Sequence, residues 1–277
     1  MNLELRFGQP NSYDFDTIID QFSGTKINSF RTSSIPLVQF WKDTNNRLND
    51  LFNKLGLQCD KPTLCFEYPT KPKQGTGKSS MTDLMILGND FKVAIEAKFT
   101  EYVKIKPDLI DNWKLAGDKE NRIKVLNYWT SLIKPFSNGF DNDSLNQISY
   151  QFYHRTASAC NTNGQAIVVY QVFYDNDTLG FLENYKSKLM DYIRILNPNN
   201  KLSFYIWEIE TNQLIMDNND IDPFVEMKSR NVYEFTKTRL EKKICLTQAH
   251  KKLGFKRLCV RRSRLQAFCT VDSLAST

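Results

Sequence analysis

The sequence predicts a single α/β unit, a mixed central sheet flanked by helices. Three observations predict it. Apolar residues switch between helical spacing and strand-like runs along the chain. The segments follow the order helix, three strands, helices, strand, helix, strand. One strand candidate, Asp83–Leu87 (DLMIL), is apolar after its first residue, as suits a strand covered on both faces.

Each element has its own signal. Gln39–Leu55 places Trp41, Leu48, Leu51, Phe52 and Leu55 at helical spacing, with Gly56 as a C-cap. Thr63–Glu67 (TLCFE) is a short strand ended by Pro69 and the stretch KPKQGTGKSS. Gly88-Asn89-Asp90 has turn chemistry. Phe91–Thr100 alternates: Phe91, Val93, Ile95, Ala97 and Phe99 are apolar, while Lys92, Glu96, Lys98 and Thr100 are polar. That is period two, predicting a strand with one face in the core. A helix follows around Lys119–Ile133, another over Ser144–Ala159, then the strand Ala166–Tyr174. Leu179–Leu196 is an amphipathic helix stopped by Pro198, and Leu202–Glu208 is the last strand. No internal repeat or low-complexity linker interrupts the order.

Composition excludes several classes. At 277 residues and 41% apolar, the chain can bury one large core. No run approaches the length of a membrane-spanning helix, and MNLELRFGQPNSYDF lacks the order of a signal peptide. Six cysteines form no C-x-x-C pair, and only His154 and His250 could complete a zinc site. Free thiols in a reducing cytoplasm are the expectation. Two histidines without suitable spacing also argue against a histidine-based nuclease motif. The net charge is +6, but residues 236–277 hold 11 Lys/Arg against 2 Asp/Glu, a net of +9. Residues 1–235 therefore carry −3. A basic extension, 236–277, follows an acidic body with its boundary near Phe235.

Gly77-Lys78-Ser79 suggests a phosphate-binding loop, but the first glycine of that motif would fall at Pro72. Proline has no N–H to offer a phosphate, and a strand follows where a helix is needed. The carboxylates downstream are more telling. Glu96 and Lys98 are two apart on a strand and share a face. Asp83 begins the preceding strand, joined by a short turn, so its carboxylate can sit beside Glu96. Two carboxylates and the Ala97 backbone carbonyl make an oxygen-rich site of the kind Mg²⁺ prefers. A neighbouring ammonium can orient water and offset charge on a phosphate.

Thr82-Asp83, a gap of 12 residues and Glu96-Ala97-Lys98 resemble the PD-(D/E)XK nuclease superfamily, which includes restriction endonucleases. The resemblance spans about 39–208. It implies a restriction endonuclease-like core of αβββαβ order and Mg²⁺-dependent hydrolysis of phosphodiester bonds, with Mn²⁺ as a substitute. Asp83, Glu96 and the Ala97 carbonyl would be metal ligands, and Lys98 would position the attacking water. The proline of the motif is Thr82 here, at a position that does not touch metal. DNA is favoured over RNA as substrate, in a restriction or defence role. A homodimer, or sequential nicking by a monomer, would cut both strands. The rival is a non-catalytic nucleic-acid-binding or assembly module on the same fold.

Other candidates follow from position. Glu67, ending the first strand, is either a further metal ligand or a surface glutamate. NQISYQFYHRTASA places Gln147, Gln151, His154/Arg155 and Ser158 along one helix face, where Gln147 and Gln151 would line the cleft. A polar solvent face is the alternative, and His154 reads as a surface or capping residue. Lys71, Lys73 and Lys78 form a mobile basic loop suited to phosphate contact or simply solvated, and Arg155 is a further nucleic-acid contact. Arg31-Thr32-Ser33-Ser34 has the same status as that loop. Leu246–Arg257 faintly resembles a helix-turn-helix opening, one residue out of register. The extension is a DNA-binding arm, a disordered end or a non-native end.

Overall fold

The computed structural model describes residues 2–8, 11–22, 27, 29–103, 109–139, 142–215 and 221–243. The chain divides into one unit, Met1–Cys245, and a second, Leu246–Thr277. The second falls outside the described residues, as does the helix-turn-helix-like stretch Leu246–Arg257.

In chain order the first unit contains β1 (Glu4–Phe7), α1 (Phe15–Gln21), α2 (Ser34–Trp41), α3 (Thr44–Leu55) and β2 (Thr63–Thr70). It continues with β3 (Ser80–Leu87), β4 (Phe91–Lys98), α4 (Ile110–Leu115) and α5 (Lys119–Ile133), then a 3₁₀ turn at Lys134–Phe136. It closes with α6 (Asn142–Leu145), α7 (Tyr150–Cys160), β5 (Gln165–Tyr174), α8 (Leu179–Leu196), β6 (Leu202–Gln213), α9 (Pro223–Ser229) and β7 (Tyr233–Lys243). The strands form one mixed sheet in the order β1-β2-β3-β4-β5-β6-β7. β2, β3 and β4 form an antiparallel meander, and β5 and β6 run parallel to β4. The expected α/β architecture, a mixed sheet flanked by helices, is present.

Two apolar layers sandwich the sheet. Ile35, Leu48 and Phe52 of α2 and α3 pack with Leu84, Ile86, Val93 and Ile95 on one face. Trp129, Phe152, Leu189 and Ile193 of α5, α7 and α8 pack with Met85, Ala94, Val168 and Ile206 on the other. Each face of β4 is therefore covered, which corrects the expectation of a half-buried strand. Its alternating polar residues, Glu96 and Lys98, are themselves buried under α7.

Other boundaries shift for local reasons. The single helix expected over 39–55 is two helices. Asp43 leaves the helical region at φ −86°, ψ 58°, and Thr44 Oγ1 donates to the Trp41 carbonyl at 2.6 Å, turning the chain. Apolar spacing runs through this turn undisturbed, so periodicity does not reveal it. The helix expected over 144–159 likewise starts only at Tyr150. Upstream, Ile148 and Asn146 carbonyls accept from Ile110 and Asp111 N–H, diverting the backbone from helical pairing. β2 runs on to Thr70 despite Pro69, because beyond Phe66 it has no β1 partner among the described residues and proline is tolerated at such an edge.

The boundary placed near Phe235 is also corrected. β7 crosses it, pairing with β6 from Tyr233 to Lys243 around a bulge at Glu210/Thr211. Charge marked the change there, but the backbone of Thr236–Lys243 belongs to the sheet. Accordingly, a chain ending at Cys245 should unfold cooperatively in a thermal melt. One ending at Phe235 exposes most of the β6 edge and should lose that transition; equal melts would refute the assignment of β7 to the folded unit.

Candidate functional site at the opening between β3 and β4

Register brings the carboxylates together. Leu84 pairs with Ile95, where the β3–β4 ladder stops, so Asp83 and Glu96 face each other at the opening. On the other side, Phe66 pairs with Leu84 and Tyr68 with Thr82, setting Glu67 opposite Asp83. Side-chain alternation breaks at this point. Phe66 and Leu84 face the α2/α3 layer, whereas Thr70, Ser80 and Thr82 reach α7. Glu67 absorbs the change with φ +50°, a left-handed conformation that costs a non-glycine residue about 1 kcal/mol or more.

Asp83 takes the place of the missing ladder bond. Its Oδ2 accepts the Ala97 N–H at 2.8 Å. A strand residue presents N–H and C=O to the same neighbour, so the Ala97 carbonyl faces this same opening. Asp83 Oδ1 has no protein partner among the described residues. Glu96 is sealed, with 1% exposure. Its Oε1 accepts from Lys98 Nζ at 2.7 Å and from Gln151 Nε2 at 2.8 Å, while Oε2 pairs with Arg155 Nε. The i,i+4 spacing of Gln151 and Arg155 puts both on the face of α7 above the strand.

These surroundings drive the two acids apart. Burial pushes the Asp83 carboxyl up, Glu96 and then Glu67 add to it, and Arg155 and Lys98 only partly offset the rise to about 7. Burial also opposes ionisation of Glu96, but Arg155 and Lys98, by charge and hydrogen bond, hold it below the usual carboxylate range. Lys98 would be pushed down by burial, yet Glu96 and Asp83 hold it above the usual lysine value.

Asp83, Glu96, Lys98, the Ala97 backbone and Gln151 converge. Glu67 is buried and close enough to act electrostatically on Asp83, so it is not a surface glutamate. It does not join Asp83 and Glu96 as a metal-binding group: no cluster of three or more His, Cys, Asp or Glu side chains suited to a metal ion forms among the described residues. Gln147 is exposed in the turn before α7 and does not line the site, a correction that follows from the late start of that helix. Lys71 and Lys73 are exposed on the β2–β3 connection, whereas Lys78 lines a pocket beside the site. Arg155, expected as a nucleic-acid contact, is buried as the partner of Glu96, because a carboxylate sealed between β4 and α7 needs a cation from the covering helix.

Three further residues take part in ways the sequence did not predict. Ser80 Oγ accepts from Arg155 Nη1 at 2.9 Å and pairs with His154 Nδ1 at 2.7 Å, which makes His154 a half-buried relay member. Thr82 is fully buried, its hydroxyl donating to Ser158 at 3.0 Å. The residue in the motif's proline position is thus a tie between β3 and α7. The polar face of α7 was the available signal for His154; Ser80 carried none. Arg31, from the Arg31–Ser34 stretch, pairs with Asp175 at 2.8 Å and Asp177 at 3.5 Å.

The two carboxylates should respond oppositely to neutralisation. Glu96→Gln leaves Lys98 and Arg155 buried without their counter-charge and should cost about 3–5 kcal/mol in urea unfolding at pH 7. Asp83 binds a proton in the folded state between pH 4 and 7 that the unfolded chain has released, so wild-type stability from this group falls across that window. Asp83→Asn should therefore be stabilising by about 1–3 kcal/mol at pH 8, with the gain fading towards pH 4. A loss of stability at pH 8 would contradict the strained carboxyl.

No curated protein and no solved structure matches this chain. A family model described as a domain of unknown function, DUF6946, matches residues 16–212. That span holds more than half of the chain and every residue of the site, so the protein belongs to the DUF6946 family.

Proposed function

We propose that the protein is a Mg²⁺-dependent nuclease with a restriction endonuclease-like core, acting on DNA in preference to RNA. The observation that carries the reading is Asp83: a carboxyl raised to about 7 beside an ionised Glu96, at the point where the β3–β4 ladder opens. A cation bound between them would relieve that repulsion. The donors fit a hard divalent ion, being oxygen only: the unused Asp83 oxygen, the Ala97 carbonyl and Glu96. When bound, Mg²⁺ supplies Lewis acidity towards a phosphate oxygen and water, and Mn²⁺ substitutes for it.

The chain's own groups do the remaining work. Lys98, held above its ordinary range, stays an ammonium and offsets charge developing on phosphate. Gln151 and Arg155 fix the Glu96 rotamer, so the face offered to a ligand does not depend on a free side chain. Ser80 orients Arg155 in turn. Cutting both strands of a duplex would require a homodimer or two successive nicks.

A second reading, a non-catalytic nucleic-acid-binding module, is favoured by one fact: both oxygens of Glu96 already have protein partners. Supercoiled plasmid and linear RNA, each incubated with Mg²⁺, Mn²⁺ or EDTA, separate the two. The expected result is metal-dependent cleavage of plasmid, reduced at least about 100-fold in Asp83→Asn and Lys98→Ala under conditions where circular dichroism confirms their fold. Parental rates in both variants would overturn the assignment. DNA binding without cleavage, and without heat on Mg²⁺ titration, would establish the second reading.

A further inference from the structure

The loop leading into β3 is docked on α5. Thr76 N–H donates to Asn121 Oδ1 and Asn121 Nδ2 donates back to the Thr76 carbonyl, each at 2.6 Å. Gly75 permits the approach: its φ is +74°, and a Cβ there would lie 2.9 Å from the Asn121 carbonyl oxygen and from Val125. The docked loop forms one wall of a pocket of about 530 Å³, completed by α4, α5 and α7.

The pocket is built for an anion. Lys78, Arg122 and Arg155 line it, with no aspartate or glutamate among the described residues. Arg155 is more than nine-tenths buried, with Nε on Glu96 and Nη1 on Ser80, while Nη2 has no protein partner among the described residues. Ser80 Oγ accepts from Arg155 and pairs with His154 Nδ1, which anchors the imidazole in the pocket wall through that nitrogen. With Ser80 as the donor to Nδ1, the Nε2–H of His154 is a second donor there. Trp113 stacks on Tyr150 with centroids 3.9 Å apart and planes 11° from parallel, and the Arg122 guanidinium lies 4.8 Å from the Trp113 centroid. An ordered aromatic surface thus borders the donors.

We propose that this pocket binds the phosphate monoester of a nucleotide. Arg155 Nη2, His154 Nε2–H and Lys78 Nζ take the phosphate oxygens, and the Trp113–Tyr150 stack takes the nucleoside. Arg155 reaches both this pocket and Glu96, so the nucleotide sits next to the opening between β3 and β4. The assignment of a nucleic-acid strand as the source rests on the nuclease reading; phosphate recognition itself does not.

Calorimetry on the full chain in EDTA tests it, using a nucleoside 5′-monophosphate, the matching nucleoside and inorganic phosphate. The monophosphate should bind roughly tenfold more tightly than either fragment, and Lys78→Ala and His154→Phe should each weaken it about three- to tenfold. Thermal melts of both variants guard against misfolding, and neither residue contacts Glu96 or Asp83. A 5′-phosphorylated oligonucleotide that outcompetes its unphosphorylated twin would identify a strand end as the source; equal competition would leave the free nucleotide. No saturable monophosphate binding, or binding unchanged in both folded variants, would overturn the site. Monophosphate binding without metal-dependent cleavage would remove the nuclease reading alone, and cleavage without monophosphate binding would remove the pocket alone.

Discussion

Glu96 sits between β4 and α7 with its charge inescapable, because Lys98 and Arg155 would both be stranded if it were neutral. Removing three charges from water costs several kcal/mol for each, and their mutual attraction repays this only when every hydrogen bond is made. Here both carboxylate oxygens are used, and Ser80 takes a further donor of Arg155. Such a cluster adds little net stability over a well-packed apolar core. What it fixes is position: it sets where α7 lies along β4 and therefore where Gln151 and His154 are presented. Apolar packing alone, from Phe152 and Ala157, would tolerate slippage that these charges do not.

The same cluster decides the state of its neighbour. Asp83 meets the cations only after Glu96 has claimed them, so burial and the like charge dominate its surroundings. Two acids on adjacent strands thus differ because one is covered by a helix carrying cations and the other lies where the ladder parts. The twist of backbone at Glu67 belongs to this arrangement, since it redirects β2 and β3 as they pass the opening. Strain, a raised carboxyl and an interrupted ladder coincide within one row of the sheet.

Much of the fold was legible in sequence because core strands announce themselves. DLMIL and AIVVYQVFY lie where an uninterrupted apolar run requires, and the period-two pattern of 91–98 fixed which residues share a face with Glu96. The site was legible to the same extent: strand parity and a short turn bring Asp83, Glu96 and Lys98 together. What escaped was decided by hydrogen bonds that leave the apolar pattern unchanged. The breaks near Asp43 and Asn146 depend on a side-chain bond to Trp41 and on backbone bonds to residues 110–111. Arg155 reads as a surface cation on any helical wheel, and only the packing of α7 over β4 buries it. β1 and β7 escaped because edge strands are short or polar, with no apolar run to mark them.

β7 ends the sheet, and its composition has a bearing on how copies of this protein can meet. An outer strand offers unpaired amides to any other strand, the usual route to edge-to-edge aggregation. Lys237, Arg239 and Lys242 stand exposed along this one, and the bulge opposite Glu210/Thr211 bends its line. Lys237 is turned back to Glu210 at 3.1 Å, which secures the strand to its inner neighbour. A second strand approaching this edge would have to accommodate these side chains and the bulge. Continuous sheet formation through β7 is therefore disfavoured.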